Sequence, residues 1–306
     1  MILLHYNPIH LMKGHIMWSK ELKEAIDKGF EDNYCFVAFV DILGFREHVK
    51  KFINPKQEAD EQILENIKSA LEDALKLTKT DENRELKLIR YKVFSDCACI
   101  SVPDFYSHFN DASTLCLFLV FLNGYSFQLM RRDIYLRGGL SLGFHHEEEN
   151  IIFSDGLIKA YDLESKAIYP RIVIDEEVVE RIKRLWINNK EVLLDFGIEK
   201  KIITDGDGIT FINPFSIMKS MGRMTLEPLR KEFKNRGKSK KDFKAYTQKL
   251  DESYHKDIKR ILKTNIAKYE MDNHKLQKYL WLNELLQWNR NPRRSKIKFK
   301  YLLRSK

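Results

Sequence analysis

The segment FVAFVDILGFREHV, Phe36 to Val49, constrains this chain more than any other. Its opening run, FVAFV, is apolar without alternation, the pattern of a strand covered on both faces. The next residue is Asp41, and a buried ionised carboxylate costs several kcal/mol unless something compensates it. Either Asp41 stands at the strand tip in water or it binds a cation. A second stretch, RYKVFSDCACIS from Arg90 to Ser101, also leads an apolar strand to an aspartate, Asp96, at a bend. Lys92, Phe94 and Asp96 alternate onto one face of it. Two carboxylates at the tips of adjacent central strands make a site for Mg²⁺ or Mn²⁺, which take few carboxylates plus phosphate oxygens. Two such ions about 4 Å apart activate a hydroxyl and steady a leaving group.

Periodicity gives the surrounding elements. Helices are expected over Trp18–Phe30, Gln57–Lys79 (Ile63, Ile67, Leu71 and Leu75 on one face), Asp111–Arg132 (Asp111 or Ser113 as N-cap), Gly156–Ala167 and Asp175–Trp186. Strands are expected over Phe36–Val40, Leu86–Phe94, Cys97–Val102, Ile134–Leu142, Ile151–Phe153, Tyr169–Ile174 and the end of Asp205–Asn213. That order predicts an α+β, ferredoxin-like fold: an antiparallel-rich sheet with helices on one face. The run LCLFLVFL, Leu115–Leu122, reads as core with a share in a dimer interface. Beyond Lys219 two long charged helices are expected, Leu226–Leu250 and Ser253–Trp288, loosened around Asn235–Ser239. The domain reading is an N-terminal arm and short helix (1–33), a catalytic domain (34–218) and a basic helical extension (219–306).

Charge follows that division. The chain carries +9 in all. From Lys219 onward there are 26 Lys+Arg against 9 Asp+Glu, so the preceding residues are net acidic. The longest apolar run, eight residues, is too short to cross a bilayer. With no signal-peptide pattern and four cysteines outside any C-x-x-C pair, a cytoplasmic protein with reduced thiols is expected.

Other candidates read as structure. Gly138-Gly139 permits close approach of a partner or nucleotide, or marks a bulge or tight packing. His145-His146 before three glutamates lacks metal-ligand spacing and reads as a solvated loop. Asp205-Gly-Asp-Gly208 lacks the remaining ligands of a Ca²⁺ loop and reads as a turn.

FVDILGF resembles the F-x-D-I-x-G-F segment of class III nucleotidyl cyclases, FSDCACIS their second metal segment, and LRGGLSLG (Leu136–Gly143) their R-x-G-[IL]-x-x-G strand. FSDGLIKAYDLESKAIYPRIVI, Phe153–Ile174, with the later D-x-D-G, is similar to one subgroup: the bacterial pyrimidine cyclases of the Pycsar anti-phage system. The resemblance covers roughly 34–215, and KYE…WL…WN in the last helices also fits. It implies a homodimer with interfacial sites. Asp41, the backbone carbonyl of Ile42, and Asp96 would hold two Mn²⁺ or Mg²⁺ ions. Gly44, Phe45 and Arg46 would bind phosphates, and Lys92 takes the base-selecting place. The implied reaction turns UTP, or secondarily CTP, into the 3′,5′-cyclic monophosphate and pyrophosphate, a messenger for a separate effector. The N-x-x-x-R of the purine enzymes is absent, since Ile158 and Asp162 stand there; Lys159, Lys166 or Arg171 is a substitute cation. That departure motivates one alternative, a cyclase-like regulatory module without turnover. The basic tail motivates the other, nucleic-acid binding, which leaves Asp41 and Asp96 unexplained.

Overall fold

The structure, a computed structural model, describes residues 33–53, 88–217 and 223–303, with positions 20, 24, 65 and 68. The expected helices at Trp18–Phe30 and Gln57–Lys79, most of the N-terminal arm, and the expected domain boundary at 218/219 lie outside the described residues.

The chain runs β1 (Tyr34–Ile42), α1 (Phe45–Ile53), β2 (Arg90–Phe94), β3 (Cys97–Pro103), α2 (Tyr106–Phe109), α3 (Ser113–Met130) and β4 (Leu136–Glu147). It continues β5 (Ile152–Ser154), α4 (Asp155–Lys166), β6 (Ile172–Ile174), α5 (Glu176–Asn188), α6 (Lys190–Asp195), β7 (Ile202–Thr204) and β8 (Thr210–Ile212). The basic segment forms α7 (Arg223–Asn235), α8 (Lys240–Lys268), α9 (Asn273–Arg290) and β9 (Lys300–Tyr301).

Strand order is β2-β3-β1-β4-β6-β8-β7-β9, with β5 paired to the end of β4. The first four, all antiparallel, have the order of a ferredoxin-like sheet, as expected; β4 with β6 is parallel. β1 is central because both its faces are covered. Phe36, Ala38, Val40 and Ile42 join the core that includes α3 and α5, while Cys35 and Val37 join a small cluster with Cys99 and Leu157. A helix apolar all round must be buried. α3 is such a helix: among the described residues it alone has the length and composition to cross a membrane, yet it lies in the interior. Leu115–Leu122 are all buried within the chain, so they supply no interface.

The expected helical layer on one face therefore exists in α3 and α5. α4 adds a helix on the other face, where the Ser141 hydroxyl donates to the Gly156 carbonyl at 2.6 Å. Gly139 allows that approach, since a Cβ there would strike the Ala160 carbonyl and Leu163, and Gly138 lies as tightly against the Phe39 carbonyl. The two glycines thus serve packing inside the protomer.

Several boundaries differ from the periodicity. β4 runs on to Glu147, so His145 sits in a strand, fully buried, and not in a solvated loop. Its ring bonds with Ser154 Oγ at 2.9 Å and Glu147 Oε2 at 3.1 Å, which removes the cost of burying it. β6 begins at Ile172, leaving Tyr169 and Arg171 outside it. α3 starts at Ser113, whose N–H donates to Asp111 Oδ1 at 2.7 Å. In the basic segment no break falls at 251–252. α8 passes straight through, and the breaks lie at 236–239 and 269–272. Ser239 and Asp242 form a reciprocal capping box at the start of α8, and Asp272 caps α9.

The basic helices share a core with the sheet. Leu250, Tyr254, Ile258, Leu262, Trp281 and Leu285 pack with Phe127, Met130, Tyr135 and Phe211, and β9 pairs with β7.

Candidate active site

Asp41 and Asp96 converge. Asp41 pairs with Cys97 across the β1–β3 ladder. Asp96 precedes Cys97 in the β2–β3 turn, where Ser95 takes φ 59°. The Ile42 N–H donates to the Asp96 carbonyl at 3.0 Å, locking turn to strand. Ligand atoms of Asp41, Asp96 and Cys97 consequently lie within 4.8 Å of one another. Among the described residues this is the one group of acidic, Cys and His side chains so gathered.

The electrostatics suit a cation. Burial, then the Asp96 charge, pushes the Asp41 carboxyl up to about 6, although the Cys97 hydrogen bond and Arg137 pull it down. The Cys97 thiol donates to Asp41 Oδ1 at 3.5 Å. Burial and the two carboxylates push that thiol up to about 12, so it stays protonated and leaves hard oxygen ligands for a hard ion. A cation between the two carboxylates would relieve the repulsion that Asp96 exerts on Asp41, and the donor set fits Mg²⁺ or Mn²⁺.

Arg137 and Glu164, to which the sequence assigned no role, complete the surroundings. Arg137 lies directly opposite Asp41 on β4. Its Nη2 is 3.6 Å from Asp41 Oδ2, while its Nε pairs closely with Glu164 of α4. The arginine was visible within LRGG, but its register against Asp41 is a tertiary fact.

The Leu43-Gly44-Phe45 bend stands beside the carboxylates. Gly44 takes φ +83°, and the space where a Cβ would sit is open. Its carbonyl accepts from the Glu47 N–H at 2.9 Å as α1 begins. Exposed glycine and a helix start give accessible backbone N–H groups. Arg46 is exposed on that first turn. The Ile42 side chain points into the core at 2% exposure.

Lys92 lies on the same sheet face, 3.7 Å from Glu147 Oε1, and its ammonium donates to the Glu148 carbonyl. It lines an opening of about 650 Å³ with Tyr91, Phe94, Asn150 and Leu157. Lys159 is engaged, donating to the Leu142 carbonyl at 3.1 Å and pairing with Asp155 at 3.1 Å. Lys166 is exposed at the end of α4.

Arg171 is placed elsewhere. Its side chain is fully buried, with Nη1 3.0 Å from Asp205 and Nη2 2.8 Å from Asp207. The guanidinium lies over Tyr169, Phe211 and Trp281, and the Trp281 indole N–H donates to the same Asp205 at 2.8 Å. A guanidinium so enclosed has no face for a phosphate. Asp205-Gly-Asp-Gly208 is the expected turn, and its carboxylates hold this arginine.

No known-family model matches the chain, and no curated protein matches it. Solved structures similar to this chain include two of a bacterial light-regulated adenylyl cyclase. Identities are 11% and 10%, each over 68% of this chain, with TM-scores of 0.34 and 0.33. The chain matches 62% and 61% of the lengths of those two proteins.

Proposed function

We propose that this chain is a nucleotidyl cyclase of the class III type, acting on a pyrimidine nucleoside triphosphate, UTP before CTP. The observation that carries the reading is the meeting of Asp41 and Asp96 within 4.8 Å, beside the open Gly44 bend. Asp41, Asp96 and the Ile42 carbonyl would hold Mn²⁺ or Mg²⁺. The ions would supply charge to the α-phosphate, the attacking 3′-oxygen and the leaving oxygen. Gly44, Phe45 and Arg46 would bind the triphosphate, and Lys92 would face the base. The bond from O3′ to the α-phosphorus forms, the bond to the β-phosphate oxygen breaks, pyrophosphate leaves and the hydroxyl proton passes to solvent.

Phe94, Ile158 and Tyr161 are exposed at 50%, 64% and 54% on the sheet face that carries Asp41. Exposed apolar side chains beside a site support an interface, here a homodimer completing two sites. The product would act as a messenger on a separate effector in antiviral defense, within the cytoplasm.

The test is incubation of purified protein with Mn²⁺ and each of ATP, GTP, CTP and UTP, with products identified by mass spectrometry. Cyclic UMP is expected from the wild type and none from Asp41→Ala or Asp96→Ala. Undiminished activity in either variant removes the metal roles. Cyclic purine products alone remove the pyrimidine assignment.

A further inference from the structure

The β4–β5 hairpin carries a chain of polar contacts separate from the metal site. His145 faces Ser154 across the hairpin, and Glu147 faces Ile152. Ser154 is the N-cap of α4. Its hydroxyl accepts from the Leu157 N–H, donates to the Phe144 carbonyl and meets His145 Nδ1, each at 2.9 Å. The other ring nitrogen, Nε2, lies 3.1 Å from Glu147 Oε2. Glu147 Oε1 lies 3.7 Å from Lys92 Nζ, and that ammonium also donates to the Glu148 carbonyl. The contacts run unbroken from the first turn of α4 to Lys92.

The far end of this chain is rigid. His145 is fully buried, and its backbone N–H donates to the Asn33 carbonyl at 2.7 Å. The Glu148 N–H donates to the Ile151 carbonyl at 2.9 Å and closes the hairpin. Ile152 and Leu157 pack on Cys35, Val37 and Cys99, which seats the hairpin and α4 on the sheet. Lys92, by contrast, stands on β2, at the end of the strand order. A lysine there has a long stem with much rotamer freedom to lose. Glu147 and the Glu148 carbonyl remove that freedom before a ligand arrives.

The same contacts set the chemistry of the ammonium. It carries three N–H donors. Glu147 and Glu148 engage two, and one remains for the opening lined by Tyr91, Phe94, Asn150 and Leu157. With a carboxylate beside it, Lys92 is a weak anchor for a phosphate. It suits an uncharged acceptor, such as the carbonyl oxygen of a base.

We propose that Glu147, braced by His145, is a positioning residue that aims Lys92 at the nucleotide base. The hairpin then decides how firmly the base is held. The proposal rests on the cyclase reading for the presence of a nucleotide, and Glu147 and His145 act through Lys92 without touching substrate themselves.

The experiment uses the full chain with Mn²⁺ and titration calorimetry. The probes are 3′-deoxy-UTP, which cannot cyclise, and inorganic tripolyphosphate, which has no base. Because His145 lies in the core, Glu147→Gln carries the test; it keeps the shape and removes the charge. It should weaken 3′-deoxy-UTP about fivefold to tenfold, the loss of one charge-assisted hydrogen bond, without weakening tripolyphosphate. Lys92→Met should cost at least as much, and Glu147→Gln added to Lys92→Met should cost nothing further. His145→Gln, which keeps a donor, should retain more affinity than His145→Leu. In turnover of UTP, Glu147→Gln should raise KM and spare kcat. Unchanged 3′-deoxy-UTP affinity in Glu147→Gln overturns the proposal. So do additive losses in the double variant, or an equal loss with tripolyphosphate, since either marks a general structural effect. The expected pattern in a protein that forms no cyclic product keeps the positioning role and ends the cyclase reading. Cyclisation with additive losses does the reverse, and a wild type that does not bind 3′-deoxy-UTP ends both.

Discussion

Asp41→Asn should stabilise the metal-free protein near neutral pH and abolish its response to divalent ions. In the folded chain the Asp41 carboxyl is raised from 3.8 to about 6 by burial and by Asp96. At about 1.4 kcal/mol per pH unit, that shift corresponds to about 3 kcal/mol of repulsion and lost hydration if nothing screens it. The side chain keeps 19% of its surface exposed, and water screening reduces the figure to about 1–2 kcal/mol. The sign follows from linkage. A carboxyl that holds its proton more tightly when folded favours folding below the unfolded pKa, and that advantage is lost as pH rises through the folded pKa. Wild-type stability should therefore fall between about pH 4 and about pH 6 relative to Asp41→Asn, then run parallel to it. Thermal unfolding in EDTA across pH 4 to 8 reads the difference, at about 2–4 °C per kcal/mol for a chain of this size. Mn²⁺ at pH 7.5 should restore the wild type and leave Asp41→Asn unmoved, since a ligand bound only by the native state stabilises it. Melting curves that differ by a constant amount at every pH, or an Asn variant less stable than wild type at pH 7.5, would refute the reasoning.

Two further perturbations test the framework around the site. Arg171→Ala strands Asp205 beneath Trp281 and should cost about 3–5 kcal/mol; urea denaturation reads it, and a midpoint equal to wild type contradicts the structural role given to Arg171. Gly139→Ala forces α4 off the sheet against the Ala160 carbonyl, and overpacking of this kind should cost about 1–3 kcal/mol. An unchanged Tm would show that α4 has room to give.

The sheet and the carboxylate pair were legible because their signals are local. FVAFVD and FSDCACIS each carry strand, carboxylate and bend within a dozen residues, and the order of elements fixes which strands become neighbours. What was illegible is whatever depends on register between distant segments. Nothing in LRGG announces that Arg137 lands opposite Asp41, and nothing in Ala167–Arg171 shows that the guanidinium turns inward to Asp205 and Asp207. His145 misled because a histidine beside three glutamates reads as solvent-facing, whereas β4 carries it under α4 to Ser154. The basic extension misled in a similar way. Its charge marked it off as a separate extension, while Trp281, Leu282 and Leu285 already held the apolar stripe that docks it. In the long helices the loosening expected around Asn235–Ser239 is a break, while the division expected at 251–252 is not; Ser239 and Asp242 carry the terminus signal.

The ion pair between Glu47 and Lys275 joins residues 228 positions apart. During synthesis the glycine bend leaves the ribosome early and waits unsupported until α9 follows. Long-range contacts of this kind form late and slow folding. A nascent or prematurely terminated chain therefore carries both aspartates without the buttress behind them, and the Gly44 bend gains that support only once α9 has been made.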